Sequence, residues 1–147
     1  MDLIQEVNRY HDSGCNCSQS VFNTFAGQFG IAPEKSNQVA AAFGGGMGRS
    51  GLTCGAVTGG LMVLGMRFGP KVPSDQAAKE LTYQKAREFM IRFKEENGDL
   101  DCLKLVGMDI STPEGWQNAR EQKVFSTICP KYLESAVRIL NEMLKGE

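Results

Sequence analysis

The residues of this sequence that could do chemistry are its five cysteines, Cys15, Cys17, Cys54, Cys102 and Cys129. The thiolate, rather than the thiol, attacks disulfides and binds metal ions. Structural disulfides are rare in a reducing cytosol, so five cysteines there indicate redox chemistry, metal binding or buried, inert thiols. The cysteines are therefore the first candidates for a functional site.

The spacing of the cysteines argues against some common arrangements. No Cys-x-x-Cys pair occurs, which disfavours a thioredoxin-like motif and zinc sites that are built from close pairs. Cys15 and Cys17 form a Cys-x-Cys pair that could share a metal ion or form a strained disulfide. His11, the single histidine, precedes this pair, but a lone histidine on a helix is more often a surface residue than a ligand.

The elements that position the cysteines are predicted to be helices. Apolar residues recur at helical spacing, and no alternating strand pattern persists for five residues. A chain of 147 residues is expected to form one domain. We therefore predict an all-α, compact single-domain bundle of about seven helices over residues 1–147. Cap residues and prolines place the helix starts at or near Leu3, Ser18, Pro33, Cys54, Ser74 (as the cap), Asp101, Pro113 and Pro130.

Four of the cysteines lie at or beside these predicted helix starts. A helix N-terminus carries unsatisfied N–H groups and about half a positive charge, and both favour a thiolate. A buried cysteine can also act as a small apolar residue, so one such position would mean little. Four of them favour a functional set made of Cys17, Cys54, Cys102 and Cys129.

A glycine-rich turn precedes Cys54. The segment Gly46-Met47-Gly48-Arg49-Ser50-Gly51 matches G-x-G-x-x-G, but a predicted helix, rather than a strand, comes before it, which disfavours dinucleotide binding. Its backbone N–H groups and Arg49 could instead bind a sulfate, a phosphate or the phosphate of a flavin. Gly51, Gly55 and Gly59 recur every four residues and are expected to share one helix face, which another backbone or a bound group could approach closely.

Charge and hydropathy exclude or disfavour further classes. The net charge is −1 with lysines and arginines interspersed among acids, so nucleic-acid binding is not expected. Residues 50–66 carry no charge, and the length of this stretch is at the lower limit of about 17 residues for a membrane span. Its glycines favour a buried helix, and residues 55–66 could equally form a homodimer interface. The first residues lack the pattern of a signal peptide, so we expect a cytoplasmic protein.

At these motifs the sequence resembles a family of redox-active proteins recognised by the cysteine pattern C…CGAxxG…C…C. The central motif is Cys54-Gly55-Ala56-Val57-Thr58-Gly59. The glycine turn Phe43-Gly44-Gly45-Gly46-Met47-Gly48 before it and Leu61-Met62-Val63-Leu64-Gly65 after it are also similar to the family. Asn16-Cys17-Ser18-Gln19 resembles the first cysteine motif, with Ser18 where alanine is commoner.

Cys102 and Cys129 fit the two later single cysteines of that family, whereas Cys15 lies outside its pattern. The likeness covers nearly the whole chain. It implies a redox or metal-binding role in a bacterium or archaeon, and it leaves the substrate and the redox partner unknown.

Three hypotheses follow. The leading one is a thiol-based redox or electron-transfer protein with activity like that of a thiol–disulfide oxidoreductase, in which Cys54 attacks and Cys17 resolves. The alternative is a metal-binding module, because four thiolates suit zinc or an iron–sulfur cluster. Its ligands would be Cys17, Cys54, Cys102 and Cys129. The third is a helical interaction protein whose cysteines are structural.

Overall fold

The computed structural model describes residues 2–145 and is all-α, as predicted. Seven of its helices are eight or more residues long, which confirms the expected number. The helical segments of this part of the chain are α1 Leu3–Asp12, α2 Cys17–Ala26, α3 Pro33–Ala40, α4 Gly44–Met47, α5 Gly55–Phe68, α6 Gln76–Asn97, α7 Cys102–Val106, α8 Pro113–Glu121, α9 Val124–Thr127 and α10 Cys129–Lys145. Two 3₁₀ turns, Gly27–Phe29 and Ala41–Phe43, extend α2 and α3.

The helices begin largely where the sequence signals predicted. Asp2 accepts a hydrogen bond from the Gln5 N–H at 2.8 Å, and Thr112 accepts one from the Gly115 N–H at 3.0 Å. The prediction that Ser74 caps the longest helix is wrong. Asp75 is the cap, because its carboxylate accepts a hydrogen bond from the Ala78 N–H at 3.0 Å. Ala78 is the third residue of α6. Helix α9 was not predicted.

Helix α5 packs directly on α2 through glycines. A Cβ on Gly55 would lie 2.8 Å from the Ser18 nitrogen, and one on Gly59 would lie 2.6 Å from the Ser18 oxygen. The expectation that Gly51 shares this helix face is wrong. Gly51 lies before the helix with φ of 72°, because residues 51–54 run alongside residues 100–103 and α5 begins only at Gly55.

Most of α5 is buried in the chain itself, between α2, α6 and α10. This is consistent with the predicted buried helix for the uncharged stretch. Among residues 2–145, no helix combines the length and the apolar character that a membrane crossing requires.

The buried apolar side chains form two clusters. The larger one includes Phe25, Phe89 and Leu133, and it contains Cys54. The smaller one contains Cys102 and Cys129, together with Val106, Ile110, Ala119 and Val124. Cys17 is partly buried and packs against both clusters. The four candidate cysteines therefore lie where the two clusters meet.

Candidate functional site

Four helix starts bring four cysteines to one place. Cys17 is the first residue of α2, Cys54 immediately precedes α5, Cys102 begins α7 and Cys129 begins α10. All five cysteines of the chain are free thiols and line one cavity of about 620 Å³. The structure thus brings together thiols that are far apart in the sequence, at the helix ends whose partial charge is positive.

A short antiparallel contact places Cys54 beside Cys102. The Cys54 N–H donates to the Leu100 carbonyl at 2.8 Å, and the Cys102 N–H donates to the Leu52 carbonyl at 2.6 Å. Thr53 and Asp101 form an isolated β-bridge between these two bonds. The backbone itself therefore fixes these two cysteines on adjacent segments.

The glycine-rich turn is wound in the left-handed sense. Gly45, Gly46, Met47, Gly48 and Arg49 have consecutive φ values between 61° and 71°. This conformation is open to glycine, but it costs about 1–2 kcal/mol for each residue with a Cβ, here Met47 and Arg49. A strained segment therefore forms one wall of the cavity.

Gly46 allows the glycine-rich turn to pack closely against Cys102. A Cβ on Gly46 would lie 2.7 Å from the Cys102 Cβ and 2.6 Å from the Leu52 nitrogen. The N–H groups of residues 48–52 all donate to backbone carbonyls of residues 42–47. The anion-binding role predicted for the turn therefore rests on the Arg49 side chain rather than on these N–H groups.

Positive and aromatic side chains border the cavity. The guanidinium carbon of Arg49 lies 3.6 Å from the centre of the Trp116 ring, and that of Arg120 lies 5.9 Å from it. Phe125 packs against Trp116 with 5.1 Å between ring centres. Half-buried His11 also lines the cavity, and burial lowers its pKa. None of the described residues that line the cavity carries a carboxylate.

The thiols of Cys17 and Cys129 interact with each other. Hydrogen bonding to Cys129 and burial raise the pKa of Cys17 well above that of an ordinary cysteine. The same hydrogen bonding lowers the pKa of Cys129, although burial opposes this effect. One member of the pair is thus held as a thiol and its partner is the more readily ionised.

Cys54 and Cys102 behave differently. Burial raises the pKa of Cys54 to about 12, although the backbone N–H groups of Ala56 and Val57 act in the opposite direction. Burial raises the pKa of Cys102 to about 11. A helix start therefore does not by itself ionise a thiol here, because desolvation outweighs the helix charge.

A family model with the description "Putative redox-active protein (C_GCAxxG_C_C)" matches residues 15–143, a range that contains all five cysteines. The chain belongs to this family. The resemblance drawn from the sequence is thereby confirmed. No curated protein matches the chain, and no solved structure does.

The arrangement of the possible ligand side chains does not support the metal-binding alternative. Among residues 2–145, no group of three or more His, Cys, Asp and Glu side chains is arranged so that it could hold a metal ion. The four cysteines line a common cavity without forming a ligand set for zinc or an iron–sulfur cluster.

Cys15 takes part in a separate polar cluster. Its thiol donates to the Asn37 Oδ1 at 3.6 Å and accepts from the Asn23 Nδ2 at 3.7 Å. It lines the same cavity as the other cysteines and forms no disulfide with Cys17.

The sequence interpretation missed Trp116, Arg120, Phe125 and Tyr132 as site residues. Tyr132 donates its hydroxyl to the Leu105 carbonyl at 2.7 Å, and burial together with nearby Cys129 raises its pKa. A signal was present only for Arg120, which stands four residues after Trp116 and so shares its helix face.

Proposed function

We propose that this protein is a thiol-based redox protein in which Cys17 and Cys129 alternate between a dithiol and a disulfide. The observation that supports this most is geometric: Cys17 and Cys129 line one cavity at the starts of two helices, and Cys17 packs against the apolar cluster that contains Cys129. The interaction of the two thiols also raises the pKa of Cys17 and lowers that of Cys129. A thiolate beside a protonated thiol is the arrangement that thiol–disulfide exchange needs, because the first attacks and the second resolves.

The exchange balances without a further reactant. The Cys129 thiolate attacks one sulfur of a disulfide RSSR, forms a mixed disulfide and releases RS⁻. The Cys17 thiol then gives up its proton and attacks the Cys129 sulfur, so that the second half of the substrate leaves as RSH. Two electrons pass from the cysteines to the substrate, which departs as one thiolate and one thiol.

The attacking role goes to Cys129 rather than to Cys54, which the sequence favoured. Burial keeps Cys54 protonated, and a thiol is a poor nucleophile. Cys17 keeps the resolving role predicted for it. Cys54 and Cys102 line the same cavity as protonated neighbours in this first step.

The domain organisation and the cellular compartment are part of the same proposal. Residues 1–147 act as one domain in a reducing, cytoplasmic compartment, since the thiols must be returned to the reduced state after each exchange. A separate redox partner supplies these electrons.

Single-turnover oxidation tests the function. Fully reduced protein, kept without oxygen, is mixed with one equivalent of bis(2-hydroxyethyl) disulfide, and free thiols are counted by alkylation and mass spectrometry. We expect the loss of two thiols, recovered with dithiothreitol. Cys129→Ser should abolish the reaction and Cys17→Ser should trap a mixed disulfide on Cys129, whereas the matched control Cys15→Ser should react like the unaltered protein.

An unreactive protein would overturn the proposal. So would a protein that loses two thiols at the normal rate after Cys129→Ser. In parallel, metal analysis of the protein purified without oxygen should find no stoichiometric zinc or iron, and finding either would return the metal-binding alternative.

A further inference from the structure

We propose that the cavity beside the cysteines binds an anionic, low-molecular-weight disulfide, whose acidic groups are held by Arg49 and Arg120. This inference rests on the proposed function and names the class of its substrate. It depends on four observations: two arginines without an acidic partner among residues 2–145, the turn that positions one of them, the charge of the cavity and its size.

The two arginines have unused hydrogen-bonding capacity. Neither forms an ion pair with a carboxylate in the described part of the chain, whereas Arg9, Arg92 and Arg138 all do. Both instead flank the Trp116 ring at the cavity. Stacking on a ring uses the face of a guanidinium and leaves its N–H groups in the plane free to bind a carboxylate or phosphate.

The glycine turn leaves room for the side chain of Arg49. A Cβ on Gly45 would lie 2.9 Å from the Arg49 Cγ, so only glycine leaves room for this side chain. Arg49 itself has φ of 64°, a costly value for a residue with a Cβ. The fold thus accepts backbone strain at Arg49, and the result is a guanidinium fixed over Trp116 at the edge of the thiol site.

Apart from the Cys129 thiolate of the proposed exchange, the cavity has only positively charged groups among its described lining residues. Its ionisable side chains are Arg49, Arg120, His11, Tyr132 and the thiols, with no carboxylate among the described lining residues. The N-termini of α2, α5 and α10 add their partial positive charges at the cysteines. The arginines and the helix N-termini would attract the acidic arms of a dianionic disulfide against the single negative charge of the Cys129 thiolate, and they would repel a cationic disulfide.

The size of the cavity favours a small molecule over a protein disulfide. Its volume of about 620 Å³ falls within the range of ligand pockets, about 300–1,000 Å³. The candidate pair is withdrawn from the surface, since Cys129 is 4% exposed and Cys17 is only partly exposed. In the proposed complex, the two short acidic arms of the disulfide lie on the arginines and its sulfur–sulfur bond lies at Cys129, all of which line this one cavity. The bond changes are those given above, with R an acidic group that is unaltered by the reaction.

Three small disulfides that differ in charge test the inference. The single-turnover rate of thiol loss is measured with dianionic 3,3′-dithiodipropionate, neutral bis(2-hydroxyethyl) disulfide and dicationic cystamine. Each rate is divided by the rate of the same disulfide with free 2-mercaptoethanol, which removes intrinsic reactivity. We expect the normalised rate to be highest for the dianion, by about tenfold over the neutral compound, the lower end of electrostatic steering.

Matched variants assign this preference to the two arginines. Arg49→Gln combined with Arg120→Gln should reduce the preference for the dianion to near unity, when each rate is compared with the rate of the same double variant toward the neutral disulfide. The control Arg87→Gln, on the exposed side of α6, removes one positive charge away from the cavity and should leave the preference for the dianion unchanged.

The outcomes separate the two proposals. Equal normalised rates for the three disulfides would overturn the substrate class and leave the redox function standing. A preference that survives in the double variant would overturn the role of the arginines. If none of the three disulfides oxidises the protein, the proposed function fails and the inference fails with it.

Discussion

At Cys54, burial and helix position act against each other, and burial prevails, with a pKa of about 12. Cys129 also begins a helix and is also buried, yet its pKa is lowered, because it has a thiol partner in Cys17. The sequence could indicate that both residues stand at helix starts. It could not distinguish their ionisation, because desolvation and thiol pairing depend on neighbours from distant parts of the chain.

Alkylation of individual cysteines as a function of pH tests this difference. Cys129 should react with iodoacetamide with a midpoint below that of a free cysteine, and Cys17 with a midpoint well above it. Since the lowered pKa depends on the hydrogen bond, Cys17→Ala should move the Cys129 midpoint upwards, and Cys15→Ala should leave it in place. The measurement is peptide mass spectrometry after timed alkylation. The reverse order of the two midpoints would contradict the assignment of attacking and resolving thiols.

At the scale of elements, the sequence predicted most helices but not every connection. Caps and prolines gave the starts of α1, α3, α8 and α10 within about a residue. The left-handed turn over residues 45–49 was beyond prediction, because Met47 and Arg49 accept positive φ values against their own preference. The position of Gly51 was also beyond prediction. Its four-residue spacing from Gly55 suggested that it belongs to the same helix, but residues 51–54 pair with residues 100–103 and the helix begins only at Gly55.

Glycines of α5 provide a matched comparison of packing. Gly59→Ala should lower the free energy of unfolding by about 1–3 kcal/mol, because the new Cβ would meet the Ser18 carbonyl oxygen at 2.6 Å. Gly65→Ala, in the same helix with nothing within 4 Å, should raise it by about 0.5–1 kcal/mol. Urea denaturation followed by circular dichroism measures both. Equal effects of the two changes would show that close α2–α5 packing does not stabilise the fold.

Glycines of the left-handed turn provide a second comparison. Gly46 and Gly48 both have positive φ, so alanine costs each about 1–2 kcal/mol in backbone strain. Only Gly46→Ala would also drive a Cβ into Cys102 and Leu52, and nothing lies within 4 Å of a Cβ on Gly48. We expect Gly46→Ala to destabilise the protein more and to expose Cys102 to alkylation. Similar stability and thiol accessibility in the two variants would mean that the turn does not hold the cysteine cluster together.

At the scale of the whole molecule, the function depends on the meeting of two apolar clusters. Cys54 belongs to one, Cys102 and Cys129 to the other, and Cys17 contacts both. The sequence indicated convergence through the helix starts and the family pattern. It did not indicate the cavity. Arg49 precedes Trp116 and Arg120 by more than 60 residues, and only the fold brings Arg49 next to them. The homodimer suggested for residues 55–66 stays a prediction.

Disulfide mapping of the oxidised protein tests the central claim most directly. The reduced, unaltered chain is oxidised with one equivalent of a small disulfide, digested without reduction and analysed by mass spectrometry. We predict one predominant cross-linked species that joins the peptides of Cys17 and Cys129. A cross-link confined to Cys54 and Cys102, or between different molecules, would contradict this account.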